Sequence, residues 1–208
     1  MTLKKEIPVA AGLGGGSSNA AATLLGLDEL SGGLLRKTKL LEIGKSLGAD
    51  VPFFLSGATW GLGKGRGDDV TALRFPARLW HLLVWPGFPI LTKAVYEAFH
   101  PSASSGGRLT PPGPDATLLL DALRDNQALE IRSHLFNALE PTVEALYPAI
   151  REVKSVMERE GMISHPMVSG SGSTVFGVCF SREQAQRSAQ VLRKLKPQWR
   201  VEVAATKA

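Results

Sequence analysis

Residues 7–22 read IPVAAGLGGGSSNAAA, and the rest of the chain is interpretable from them. A short apolar, strand-like run, Ile7 to Ala11, meets Gly12, Gly14, Gly15 and Gly16, then the hydroxyls of Ser17 and Ser18, then an alanine-rich helical pattern. Glycine reaches positive φ and lets main-chain N–H groups approach a ligand with no Cβ between them. A helix opening directly behind such a loop turns its unsatisfied N–H groups, and the positive end of its dipole, toward it. The combination makes a seat for an anion, and nucleotide phosphates fit it best. A simple turn needs one or two glycines, so four in five positions argue for more than a change of direction. Two better-known phosphate motifs are excluded. No lysine follows the glycines, and Ser17 stands where a dinucleotide fingerprint begun at Gly12 needs Gly or Ala.

Composition narrows the class. The 208 residues are 44% hydrophobic and 21% charged, the proportions of a globular protein with a buried core. A formal charge of +5 favours anionic small molecules, but Lys and Arg are scattered rather than clustered with aromatics, which argues against nucleic acid. The single cysteine, Cys179, lies in the apolar run Thr174 to Phe180 and reads as a buried, inert thiol of a reducing, cytoplasmic setting. The four histidines have no metal-ligand spacing. No apolar run approaches a membrane span, and Met1 to Glu6 is polar, unlike a signal peptide. Nothing in the sequence sets the oligomeric state.

Ser17 or Ser18 is expected to cap a helix running to about Leu30, with Ala20, Leu24 and Leu27 as an apolar stripe and Ala21 and Leu25 beside it. A second helix is expected over Lys39 to Leu47, stopped by Gly48, and a short third one after Asp50, with Val51 and Pro52 in its first turn. The residues alone make Asp50 a helix cap. GLGKGRG, residues 61–67, reads as a flexible hairpin. Composition shifts at residues 74–78. Beyond it come a strand over Leu79 to Trp85, a helix over Thr92 to Phe99 and a Pro/Gly/Ser-rich stretch, 101–115, expected to be a mobile loop. Helical segments follow over 116–160, interrupted or restarted at Pro141 and Pro148, with Ile150, Val153 and Met157 as one apolar face. A strand over Thr174 to Phe180, a helix over Arg182 to Leu195 and a strand over Val201 to Ala204 complete the chain. Gly170, Ser171, Gly172 and Ser173 form either a second backbone nest or a tight turn feeding that strand.

GLGGGSSNAAA closely resembles the phosphate-binding motif of the GHMP kinase superfamily, which includes galactokinase, homoserine kinase and mevalonate kinase. LGADVPFFLSG at 47–57 and VSGSGSTVF at 168–176 are similar to that superfamily's other two motif blocks, with lesser matches in KAVYEAF at 93–99 and FNALE at 136–140. The resemblance covers essentially the whole chain. Within the superfamily, the extended glycine run with SSNAA is most similar to the branch that acts on a cytidine diphosphate-linked methylerythritol in non-mevalonate isoprenoid synthesis.

That resemblance implies an α+β GHMP kinase fold in two domains. Residues 1–76 would be a partial ribosomal-protein-S5-domain-2-like unit and 77–208 a ferredoxin-like unit. It implies an ATP-dependent kinase with Mg²⁺ and a small-molecule alcohol acceptor. Pro8, Val9, Ala10, Ala11, Gly12, Leu13, Gly14, Gly15, Gly16, Ser17 and Ser18 would hold ATP, with Ser18 the candidate metal contact. Asp50 would be the catalytic base, and Gly170, Ser171, Gly172 and Ser173 would contact substrate or phosphate. Two departures stand out. The family begins with a further stretch carrying an early lysine motif that has no counterpart here, since Lys4 and Lys5 match the segment just before the glycine loop. The chain thus resembles an N-terminally truncated member, whose missing strands would leave a sheet edge exposed. Ala138 stands where the family has an aspartate. The alternatives are another kinase of the superfamily and a catalytically silent nucleotide-binding module.

Overall fold

The computed structural model describes residues 2–100 and 116–207, so the stretch 101–115 expected to form a loop lies outside the described residues. The chain divides into two compact units, Gly14–Phe75 and a unit made of two segments, Met1–Leu13 and Pro76–Ala208.

The unit Gly14–Phe75 opens with α1 (Gly15–Leu30). Its N-cap is Gly14, left-handed at φ 63°, and no side chain caps it. The expected serine cap is therefore replaced: the glycine turn starts the helix early and leaves Ser17 and Ser18 inside its first turn. The Ser18 hydroxyl instead donates to Gly15 O at 3.2 Å. Of the expected apolar stripe and its neighbours only Ala21 is buried, while Leu25 and Leu27 are exposed. Helix α2 (Lys37–Leu47) ends at Gly48 as expected and begins two residues earlier than Lys39. It packs on α3 (Val51–Ser56) through Gly44, where a Cβ would stand 2.6 Å from Leu55 Cδ1. Pro52 sits in the first turn of α3, where a missing N–H leaves no bond unmade. GLGKGRG is a hairpin: β1 (Trp60–Lys64) pairs antiparallel with β2 (Asp69–Leu73), and Gly67 N–H closes the turn on Lys64 O at 2.9 Å.

The other unit is built on β3 (Trp80–Trp85), β4 (Met167–Val168), β5 (Val175–Cys179) and β6 (Arg200–Ala205), ordered β4-β5-β3-β6 with every neighbour antiparallel. A helix-containing crossover joins β3 to β4, and a single helix joins β5 to β6, which is the split β-α-β topology of ferredoxin-like domains. The first crossover holds α4 (Thr92–Ala98), α5 (Ala116–Arg124), α6 (Ala128–Ser133), α7 (Glu140–Leu146) and α8 (Ala149–Arg159). Helices restart at both expected prolines: Pro141 occupies the first turn of α7 and Pro148 is the N-cap of α8. The second crossover, α9 (Arg182–Leu195), matches the expected bounds. Ser181 Oγ accepts Gln184 N–H at 3.1 Å and Gln184 Oε1 accepts Phe180 N–H at 2.7 Å, a reciprocal cap.

The alternation of β3 turns Leu82 and Val84 inward against Ile150, Val153 and Met157 of α8 and Ala185, Ala189 and Leu192 of α9. Cys179 is buried in this core, and desolvation pushes its thiol pKa upward, which keeps it protonated and inert. The strand-like run Ile7 to Ala11 is not a strand, because its carbonyls bond to loops: Ile90 N–H reaches Ala10 O at 2.9 Å and Thr174 N–H reaches Ala11 O at 3.1 Å. Among the described residues no helix is long and apolar enough to cross a membrane.

Candidate active site

Pro8 to Leu13 belong to the sheet-containing unit, and their path is set by a close approach of two glycine-rich loops. Gly12 has φ +74°, and a Cβ there would lie 2.0 Å from Ser169 O and 2.9 Å from Gly172 O. Only glycine fits this contact. Ser169 Oγ then donates to Gly12 O at 2.8 Å, and Thr174 N–H to Ala11 O, so the first motif is sewn to both ends of the third. Ser169 and Thr174 were visible only as flanks of GSGS; their bonding role depends on contacts far apart in sequence.

Within the second loop, Gly172 N–H closes on Ser169 O and Ser169 N–H on Thr174 O, each at 2.9 Å. Ser171 and Ser173 are buried. Ser171 Oγ shares a hydrogen bond with Thr92 Oγ1 at 2.8 Å, and Ser173 Oγ donates to Phe88 O. Both hydroxyls are thus engaged inside the unit. Gly170, left-handed at φ +56°, is the exposed member of the four.

Gly14 to Ser18 belong to the other unit. Gly14 lies on the Phe54 ring, where a Cβ would meet Cζ at 2.9 Å. The first-turn amides of a helix have no partner within it. Among the described residues no hydrogen bond reaches the N–H groups from Gly12 to Ser17, and the first turn of α1 carries no acidic side chain. Gly16 is exposed and its neighbours in the loop are half-buried. Within this unit the outcome is a row of main-chain donors, Gly14 to Ser17, at the positive end of a helix dipole.

Asp50 occupies the N-cap of α3 in helical conformation, but its side chain makes no cap hydrogen bond. The expected capping role is not taken, because the αR backbone of Asp50 holds its carboxylate away from the first-turn amides. It is exposed and, among the described residues, without a hydrogen bond or ion pair. Asp50 stands four residues before Phe54, so the two share a face of α3. A free carboxylate therefore lies one turn from the ring that supports Gly14. Among the described residues there is no group of three or more His, Cys, Asp or Glu side chains able to hold a metal ion.

Comparison with known proteins adds to this geometry. Residues 1–58 match the family model described as the GHMP kinases N terminal domain, and residues 114–198 that of the GHMP kinases C terminal. The chain is 40% identical over 193 residues to a 4-diphosphocytidyl-2-C-methyl-D-erythritol kinase of Pelotomaculum thermopropionicum, covering 92% of this chain and 64% of the relative. It is 39% identical over 198 residues to the enzyme so named in Moorella thermoacetica, covering 95% and 68%. The chain thus spans about two thirds of the length of these curated relatives. A crystal structure of 4-(cytidine 5′-diphospho)-2C-methyl-D-erythritol kinase superposes with a TM-score of 0.76 at 31% identity, covering 99% of this chain and 70% of that one. A homoserine kinase from Cytophaga hutchinsonii shares the fold, with a TM-score of 0.72 at 21% identity and coverage of 98% and 68%.

Proposed function

This chain belongs to the GHMP kinase family, and from that membership we propose that it transfers the γ-phosphate of ATP to the 2-hydroxyl of 4-(cytidine 5′-diphospho)-2-C-methyl-D-erythritol, a step of non-mevalonate isoprenoid synthesis. Residues 1–76 and 77–208 would be its two domains. The observation that carries the reading is the row of unpartnered amides from Gly14 to Ser17, in the same unit as the unpaired Asp50 carboxylate at the N-cap of α3. Pro8 to Ser18 would bind ATP, the amides receiving phosphate oxygens and the helix dipole favouring their charge.

Asp50 would accept the proton of the attacking hydroxyl as its oxygen bonds to the γ-phosphorus and the bond to the ADP oxygen breaks. Gly170, Ser171, Gly172 and Ser173 would contact substrate or phosphate through main-chain N–H groups other than that of Gly172, which Ser169 O already accepts, and not through their hydroxyls. Mg²⁺ would arrive on the triphosphate and screen its charge, with Ser18 as the candidate protein contact. The buried free thiol of Cys179 supports a reducing, cytoplasmic setting.

Titration calorimetry with MgATP and an ADP-release assay over a panel of alcohols test this reading. The expected result is saturable ATP binding and turnover with a preference for the cytidylyl substrate. Asp50→Asn should keep ATP affinity while lowering kcat by about 10²–10⁴-fold. Preference for another alcohol would reassign the kinase within its family. Binding without turnover would point to a silent nucleotide-binding module, and no binding would remove the reading.

A further inference from the structure

The segment around Asn137 is remote in sequence from both glycine loops, yet its polar groups end on the second one. Asn137 Nδ2 donates to Val168 O at 2.9 Å and to Gly170 O at 2.8 Å. Its Oδ1 accepts Leu139 N–H at 3.0 Å, which fixes the amide plane. Both donors of the side chain are therefore directed at one backbone turn. Three residues on, Glu140 Oε2 accepts Val168 N–H at 3.2 Å. Its other oxygen pairs with Lys154 Nζ, which also bonds Glu144 Oε1 at 2.7 Å. Val168 is held at both its N–H and its C=O. From this turn Ser169 Oγ reaches Gly12 O, and Thr174 N–H reaches Ala11 O. A continuous line of hydrogen bonds thus runs from Lys154 through Glu140, Val168, Asn137 and the turn to the glycine loop.

We propose that Asn137 is a positioning residue for the phosphate site: by clamping the carbonyls of Val168 and Gly170 it fixes the turn against which Ala11 and Gly12 are set. The proposal rests on the ATP-binding reading above, and Asn137 itself acts only through the two loops. Two carbonyls converging on one side chain need a group with two N–H donors. An amide supplies them, whereas a carboxylate supplies neither and repels both oxygens.

Asn137→Asp tests this against Val153→Ala, a change at a fully buried α8 position that loosens the same unit without removing a hydrogen bond to the turn. Calorimetry with MgATP and hydrogen exchange at the amides of Ser169, Gly172 and Thr174 are measured on both, with melting temperatures. The expected result for Asn137→Asp is ATP affinity lowered about tenfold or more and faster exchange at those three amides. Val153→Ala should lower the melting temperature while leaving both readouts close to those of the unchanged protein. Unaltered exchange in Asn137→Asp overturns the clamp. Faster exchange with unaltered affinity overturns its link to the phosphate site. If the unchanged protein fails to bind MgATP, the kinase reading fails by itself, and the exchange data still decide whether the clamp exists. Should Asn137→Asp not fold, Asn137→Ala removes the donors without adding charge and carries the same comparison.

Discussion

Gly12 and Gly16 belong to one glycine run but answer to different physics. A Cβ at Gly12 would collide with two backbone oxygens on a left-handed residue, whereas one at Gly16 meets nothing within 4 Å. Gly12→Ala should therefore destabilise the protein by about 2 kcal/mol or more and abolish ATP binding. Gly16→Ala, in the first turn of a helix, should raise stability by up to roughly 0.5–1 kcal/mol. Any ATP affinity lost there would reflect crowding of the bare amides alone. Urea melts paired with ATP titrations separate the two effects. The need for glycine in this run was legible in the sequence; which member closes the loops was not, because the atoms that exclude a side chain belong to Ser169 and Gly172. Asn137 was legible only as part of a family-like FNALE segment, since its partners are 31 and 33 residues away.

Elements with their own start and stop signals are the legible ones. Helix α9 has Ser181 at its cap and an amphipathic face that buries Ala185, Ala189 and Leu192, so local chemistry and packing agree. Helix α1 is legible in the sequence but its cap is not, because a left-handed glycine competes with a serine for the same task and the sequence does not rank them. Ile7 to Ala11 carried strand composition yet found loops rather than a strand as partners. The two-residue β4 is too short to leave a pattern. Strand β3 carries a pH dependence of its own. His81 packs edge-on to Phe176 with centroids 6.3 Å apart, and desolvation lowers its pKa from 6.5. The unfolded chain thus takes up the proton first, so this contribution to stability is complete above about pH 6.5 and is lost as pH falls through the lower folded value. Urea midpoints measured from about pH 8 to about pH 5 should decline on the acid side, and His81→Phe should flatten that decline.

Over the whole molecule, the unit Gly14–Phe75 has a thin core and an apolar surface. Leu30 is 86% exposed and Leu34 80%, and Leu25, Leu27 and Leu47 are also exposed. Large apolar side chains exposed to this degree favour association. Sedimentation velocity should show concentration-dependent self-association, and the double change Leu30→Glu and Leu34→Glu should reduce it. A concentration-independent monomer would contradict this.

The other unit draws its two segments from opposite sides of that one in the sequence, with Ser169 meeting Gly12 across 157 positions. On the ribosome, Gly14–Phe75 emerges complete and able to collapse while Met1–Leu13 still lacks every strand it will rest against. The glycine loop therefore waits for residues made long after it before it can acquire its shape. A nascent chain halted before Ser169 would present the nucleotide with a loop that has no backing.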